Sequence, residues 1–242
     1  LCRYNENTAN SIVNMLLHSI NRQPETSQPF FRILSMLVDI NNEHTGIPSF
    51  SNLIYPRIWE IAEQNPHHSL EWLTAQVPRN KKAHNLVLVN LSNWVEYFLL
   101  AHNNQRVRNA TALLIISLVP NNIFRQSYFK SPRTIMMQSK DTMELTSEAL
   151  LIIQQIFTCL LQHLKNAKAY VDPQTHGTSK LTSYFAVMAY CLVSRNEKLM
   201  LIPYFNDLWN LFQPKLSEPA IAVNQNKQSL LYFWHQACID CP

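Results

Sequence analysis

Glycine is scarce in this chain, and the scarcity limits what the chain can fold into. Only two glycines, Gly46 and Gly177, occur among the 242 residues, whereas average usage would supply about 17. Phosphate-binding loops, dinucleotide-binding turns and the sharp turns that carry catalytic serines need backbone with positive φ, or a close approach to the ligand, which glycine allows. The sequence therefore excludes these sites and favours helices joined by short polar or proline-containing turns.

Apolar residues recur at helical spacing along the chain, and no alternating strand pattern competes with them. The spacing predicts helices near residues 8–20, 29–41, 52–64, 67–77, 83–102, 104–119, 121–129, 141–165, 178–195, 197–212 and 224–240. Two clear apolar stripes are formed by Val87, Leu91, Trp94, Val95 and Phe98, and by Leu150, Ile153, Phe157, Leu160, Leu161 and Leu164. A third, aromatic set consists of Tyr204, Phe205, Trp209 and Phe212. We predict that it is a core stripe, with an aromatic peptide-binding groove as the alternative, and that Trp94 and Trp209 are core anchors.

This pattern predicts an all-α fold of antiparallel helical hairpins. About twelve helices in succession are typical of a degenerate α-solenoid of the HEAT or armadillo type, although no clean repeat of about 40 residues is present. A compact helical bundle is the alternative. We interpret residues 1–242 as a single helical-repeat region, with longer loops near 129–140 and 171–178. The absence of an initiator methionine and the abrupt end at Pro242 predict an internal fragment of a longer chain.

The composition indicates a reduced, intracellular protein without a membrane span. Charged residues make up 15% of the chain, below the usual ~25%, which favours deep burial or surfaces that meet other parts of a longer protein. No apolar stretch reaches the roughly 18 residues that a membrane helix needs. The five cysteines are odd in number, and Cys159 and Cys191 lie in apolar helical runs, as free thiols do. We therefore expect a cytoplasmic or nuclear location.

The sequence assigns no catalytic, cofactor-binding or metal-binding residue. Cys238 and Cys241 form a lone CxxC pair, whereas a structural zinc site needs four ligands. His67 and His68 are adjacent, so they point to different faces of a helix and do not chelate one ion together. His163 has no serine, cysteine or carboxylate neighbour in the sequence that would mark a catalytic triad.

Basic residues are concentrated in the middle of the chain. Between Arg79 and Lys140 there are nine basic residues and one acid, Glu96, so this block carries +8 against −4 for the rest. A solvated face is the plainest interpretation, an acidic protein partner the second, and nucleic acid the third. The residues we expect to contact an acidic partner are Arg79, Lys81, Lys82, Arg106 and Arg108.

Three stretches, Pro48–Asn80, Ala167–Leu181 and Tyr204–Leu231, contain long and unusual runs such as LWNLFQPKLSEPAI. They resemble the C-terminal, non-catalytic region of the very large ubiquitin-specific proteases. The resemblance implies a parent protein that is a thiol protease, removing ubiquitin from substrates. The nucleophile box (Gly-Asn-Thr-Cys-Tyr) and the histidine box (Gly-His-Tyr) of that family are absent here.

The resemblance therefore implies a helical scaffold for protein–protein interaction, which meets ubiquitin or ubiquitinated substrates through the parent chain. A free-standing helical-repeat adaptor without enzymatic activity is the alternative.

Overall fold

The structure is a computed structural model that describes residues 6–22, 26–39, 50–120, 146–170, 179–193, 195–216 and 233–238. Every regular element in these ranges is helical and none is a strand, so the predicted all-α class is confirmed. The chain divides into two compact units, residues 1–89 and residues 90–242. The stacking of hairpins into a solenoid stays a prediction.

The first unit is built from six helices of the described chain. They are α1 (Glu6–Arg22), α2 (Gln28–Asp39), α3 (Phe50–Ile54), α4 (Ile58–Gln64), α5 (Pro66–Gln76) and α6 (Lys81–Val89), with a 3-10 turn at Tyr55–Arg57 between α3 and α4. α1 contacts α2, α3 and α4, and α2 in turn contacts α5. The apolar stripe of α1 recurs every three or four residues and is fully buried, as are Leu34, Ile58 and Leu70 of its neighbours.

Proline fixes the corner between α4 and α5. Pro66 occupies the first position of α5, where its missing N–H costs nothing because that group has no partner inside the helix. Its ring also drives the preceding residue out of helical conformation, and Asn65 has φ −134° and ψ 68°. The chain turns at Asn65, as the sequence predicts for a helix that begins at this proline.

The second unit contains the longest helix of the described residues, which has 21 residues. Its elements are α7 (Leu91–Asn93), which continues as a π-helical segment (Trp94–Leu100), then α8 (Gln105–Ile116), α9 (Ser147–Ala167), α10 (Thr182–Cys191), α11 (Arg195–Met200) and α12 (Phe205–Leu216). Short 3-10 turns occur at Lys168–Tyr170, Ser179–Leu181 and Ile202–Tyr204, and residues 233–238 are helical. α10 contacts both α8 and α9, and nearly all of its side chains are buried. It is therefore a central helix of this unit.

The predicted helix over 83–102 is interrupted, which corrects the sequence-based boundary. α6 ends at Val89, and Asn90 leaves helical geometry with φ −99° and ψ 19°. Beyond it the helix widens, and Ala101 N donates to Glu96 O, five residues back. The five predicted stripe residues are nevertheless all buried.

Two members of the aromatic set at the C-terminal end, Phe205 and Trp209, were predicted incorrectly as core residues, whereas Tyr204 is half-buried and the side chain of Phe212 lies outside the described part of the structure. Phe205 is 51% exposed and Trp209 is 41% exposed, whereas Leu208 is 1% exposed. The 3-10 turn at Ile202–Tyr204 precedes α12 and changes the rotation per residue. The buried face therefore passes through Leu208 rather than through Phe205 and Trp209.

Several predictions fall outside the described residues. These are the helix over 121–129, the helix start at Asp141 and the loops near 129–140 and 171–178. The described part of α9 begins at Ser147 and confirms the predicted stripe from Ile153 to Leu164, but Leu150 is 38% exposed.

Candidate functional site

Three basic residues gather where α6 begins. Arg79, Lys81 and Lys82 are exposed, and Asn80 caps the helix by accepting from Lys82 N at 2.9 Å. The Lys82 ammonium donates to Asn52 Oδ1 at 2.7 Å, so it is anchored to α3 by an uncharged group. Within the described chain no carboxylate lies within ion-pair distance of the three cations. The start of a helix is itself electropositive, so this surface, which we call the basic face, carries uncompensated positive charge.

Arg106 and Arg108 belong to the second unit, and the structure separates their roles. Arg106 is exposed. Arg108 is only 4% exposed, and its Nη1 donates to the main-chain oxygens of His102 (2.6 Å) and Asn103 (2.9 Å). Its Nη2 donates to Gln105 Oε1. Burial lowers the pKa of Arg108. The expectation that Arg108 contacts a partner is corrected: its donors hold the loop before α8.

The described thiols in the helices do not have the environment of a nucleophile. Burial raises the pKa of the Cys159 thiol from its ordinary 9.0 to about 11. Burial, and next the charge of Glu197, raises the pKa of Cys191 as well. Because the thiolate is the reactive form, both cysteines are protonated and unreactive at neutral pH. Cys238 is exposed, and its CxxC partner Cys241 lies outside the described residues.

A serine–histidine pair that the sequence did not indicate joins α7 to α9. Ser92 Oγ lies 2.8 Å from Nε2 of His163, which is 7% exposed. The other ring nitrogen, Nδ1, is buried and has no hydrogen-bond partner. In a catalytic triad, an acceptor such as a carboxylate bonds to Nδ1 and orients the imidazole. Nδ1 of His163 has no such partner, so we interpret the pair as a structural contact between α7 and α9.

A small groove lies between α2 and α5 in the first unit. Its volume is about 180 Å³, and its lining residues are Gln28, Phe31, Arg32, Ser35, His68, Glu71 and Trp72. Phe31 and Trp72 are buried and form the aromatic floor, with ring centroids 6.1 Å apart. Trp72 Nε1 donates to Ser35 Oγ at 2.8 Å, which joins the two helices beneath the groove.

His68 of this groove is held by two polar side chains at the helix starts. Its Nδ1 lies 3.2 Å from Asn65 Oδ1 and 3.3 Å from Ser27 Oγ. Asn65 Nδ2 in turn donates to Ser27 Oγ at 2.6 Å. His67, the adjacent histidine, instead lies 3.6 Å from Glu71. The two histidines therefore have different polar partners, but their rings stack with centroids 5.4 Å apart, which differs from the expectation that they point to different faces of the helix.

No group of three or more His, Cys, Asp or Glu side chains with the arrangement of a metal site occurs in the part of the chain that the structure describes. Among these described residues, no helix combines the length and the apolar character of a membrane span.

The chain aligns over its full length with segments of three much longer proteins. It is 52% identical to human (Homo sapiens) ubiquitin carboxyl-terminal hydrolase 34 and 51% identical to its mouse (Mus musculus) counterpart, over 243 aligned residues in each case. It is 41% identical to ubiquitin carboxyl-terminal hydrolase puf of Drosophila melanogaster over 244 aligned residues. The chain spans 7%, 7% and 6% of the length of these relatives. The predicted resemblance to the very large ubiquitin-specific proteases is thereby confirmed.

The other comparisons found no match. No protein-family model matches the chain. No solved structure matches it either.

Proposed function

We propose that the chain is a non-catalytic helical scaffold within a large deubiquitinase, where it presents surfaces to protein partners. The observation that carries this proposal is the alignment itself: it covers the whole chain but only 6–7% of relatives named as ubiquitin carboxyl-terminal hydrolases. A segment of this size with no catalytic box of its own fits a supporting role beside a catalytic domain encoded elsewhere in the parent. The parent would act on ubiquitinated substrates in the cytoplasm or the nucleus.

The chemistry of the described cysteines supports the non-catalytic part of the proposal. A thiol protease needs a thiolate paired with a histidine base. Cys159 and Cys191 are buried with raised pKa values, and His163 is hydrogen-bonded to Ser92 rather than to a thiol. Hydrolysis would therefore depend on residues of the parent outside this chain.

A ubiquitin derivative with a cysteine-reactive group at its C-terminus tests this division of labour. We expect no covalent adduct with the 242-residue chain, and an adduct with the parent protein whether or not this segment is present. Removal of the segment should instead change which proteins co-purify with the parent and how fast their ubiquitin is removed. An adduct on the chain itself would contradict the proposal, as would a transcript that encodes no protease domain, which would favour the free-standing adaptor.

We further propose that the basic face binds an acidic segment of a protein partner. Arg79 and Lys81 support this role because both are exposed and neither is paired with a carboxylate of the described chain. Arg106 is exposed in the second unit and is a separate candidate contact. Attraction between such charges speeds association and weakens as salt screens it, so binding at this face should depend strongly on ionic strength.

A further inference from the structure

A second basic surface lies where α8 begins, and we call it the α8 basic surface. It consists of the exposed Arg106, the half-buried Lys180 and the buried Arg108. We propose that this surface binds a carboxylate-rich segment of a protein partner through Arg106 and Lys180. That the partner is a protein rests on the proposed function, whereas the unpaired positive charges define which of its groups are bound.

Two cations from distant parts of the sequence converge on Asn103. The Lys180 ammonium donates to Asn103 Oδ1 at 3.1 Å, and Arg108 Nη1 donates to the main-chain oxygen of the same residue at 2.9 Å. Arg106 is close by in the chain, in the first turn of α8. Because Lys180 is 77 residues from Asn103 in the sequence, only the fold of the second unit brings these charges together.

The buried guanidinium of Arg108 carries a positive charge that no acid of the described chain balances. Its hydrogen bonds go to two main-chain oxygens and one amide oxygen, and its Nε is buried without a hydrogen-bond partner. No carboxylate of the described residues lies within ion-pair distance of Arg108, Arg106 or Lys180. Buried charges are usually paired, because taking them out of water is costly. An anion bound at the α8 basic surface would offset this charge without touching it.

The positions of the two arginines also oppose the helix dipole. The start of a helix is electropositive, so acidic residues are favoured there and cations are disfavoured. α8 nevertheless has no acid in its first turn, and its second and fourth residues are Arg106 and Arg108. Residues that work against local stability are expected at functional sites. In α8 both of them increase the attraction for an anion.

The two accessible cations fit acidic residues of one peptide segment. The planar guanidinium of Arg106 can bind a carboxylate with two parallel hydrogen bonds, whereas the Lys180 ammonium acts as a point charge. They belong to different elements, so two acidic side chains of one segment would satisfy them. Nucleic-acid-binding faces commonly make about 6–10 phosphate contacts, far more than two side chains supply. The α8 basic surface therefore favours an acidic peptide segment over a nucleic acid.

The test is an NMR titration of the ¹⁵N-labelled 242-residue chain with an octaglutamate peptide. The amide signals of Asn103, Asn104 and Arg106 report the α8 basic surface, and the amide signal of Lys82 reports the basic face. We expect the first three signals to shift, and the affinity derived from them to fall as salt screens the charges. Inorganic phosphate and an oligothymidylate of eight nucleotides should bind more weakly at these three signals.

Two lysines of the second unit provide a matched pair of variants. Lys180→Gln should weaken octaglutamate binding at the α8 basic surface by about 1.5- to 5-fold, the range for one exposed ion pair. It should leave the shift of the Lys82 signal unchanged. Lys165→Gln removes the same charge at an exposed position of α9 and should leave both sets of signals unchanged.

Arg106→Glu separates binding from folding. It places an acid in the first turn of α8, where the helix dipole favours one, so the variant should stay folded while its affinity for octaglutamate falls further than that of Lys180→Gln.

The proposal is overturned if the Asn103, Asn104 and Arg106 signals do not shift, or if Lys180→Gln and Lys165→Gln weaken binding equally. It is also overturned if phosphate or the oligothymidylate binds at this surface as tightly as octaglutamate. Failure of these tests would leave the non-catalytic scaffold standing, because the ubiquitin derivative tests only for an activated thiol. A covalent adduct on the chain would instead contradict the scaffold.

Discussion

The side-chain amide of Asn65 donates a hydrogen bond of 2.6 Å to Ser27 Oγ, and each of the two residues stands immediately before a helix. Both are buried. Their main-chain oxygens also accept from the first turn of the following helix, from Phe31 N in α2 and from Ser69 N in α5. One side-chain contact therefore ties the starts of two helices together and, through His68, fixes one wall of the groove.

Replacing this amide should destabilise the first unit. Asn65→Ala removes a partner of the buried Ser27 hydroxyl and of the half-buried His68 ring, and an unsatisfied buried group costs about 1–3 kcal/mol. We expect a lower urea midpoint for Asn65→Ala and a nearly unchanged one for Ser11→Ala, whose exposed hydroxyl bonds only to Asn7 O within α1. Equal midpoints for the two variants would show that the Asn65 contact is dispensable.

The two tryptophans first expected to be core anchors should behave differently. Trp94 is 1% exposed, and its replacement by alanine should cost about 3–5 kcal/mol, as for other buried aromatic residues. Trp209 is 41% exposed, so Trp209→Ala should cost much less. Denaturant unfolding of both variants checks the prediction, and a larger loss for Trp209→Ala would contradict the placement of α12.

The contrast between these tryptophans shows which buried residues the spacing of apolar side chains can predict and which it cannot. The stripe around Trp94 was predictable because its residues are close in sequence and recur at helical spacing, and all five stay buried although the helix is interrupted at Asn90. The phase at Trp209 was not, because a 3-10 turn at Ile202–Tyr204 intervenes and its length is not encoded in the apolar spacing.

The polar contacts were predicted least well, for a different reason. Ser92 and His163 lie 71 residues apart in the sequence. Arg108 is satisfied mainly by backbone oxygens, which every residue carries. Contacts of either kind depend on tertiary packing and cannot be predicted from the spacing of residues. The sequence alone therefore could not exclude that Arg108 is exposed and contacts a partner.

Substitutions of Arg106 and Arg108 test whether Arg108 has a structural role rather than a role in partner binding. Arg108→Met keeps the apolar length of the side chain but removes the donors to His102 O and Asn103 O, so we expect a loss of about 1.5–3 kcal/mol, typical of hydrogen bonds to a charged group. Arg106→Met changes the same charge at an exposed position and should stay within about 0.5 kcal/mol. Thermal unfolding of the pair measures the difference. Similar stabilities would mean that the Arg108 contacts contribute little.

The buried thiol of Cys159 should make stability fall at alkaline pH. Its pKa is raised from 9.0 to about 11 in the folded chain, so the unfolded chain loses the thiol proton first as the pH rises. The contribution of this group is fully present below pH 9 and is lost as the pH rises through about 11. Cys159→Ala removes this group, so its stability should decline less steeply over that range. Parallel declines for the two proteins in urea titrations at several pH values would disprove the linkage.

The basic face is tested by a charge reversal that separates binding from folding. Lys81 is the first residue of α6, where a negative charge interacts favourably with the helix dipole by about 0.3–1 kcal/mol. Lys81→Glu should therefore fold at least as stably as the unaltered chain while it binds an octaglutamate peptide more weakly. Lys165→Glu makes the same charge change at an exposed position of α9 in the second unit and serves as the control.

Binding measured by calorimetry at low salt and at 0.15 M salt, where the Debye length is about 8 Å, should show a loss of affinity and of salt dependence for Lys81→Glu alone. If both variants weaken binding equally, only net charge matters and the basic face is a solvated surface.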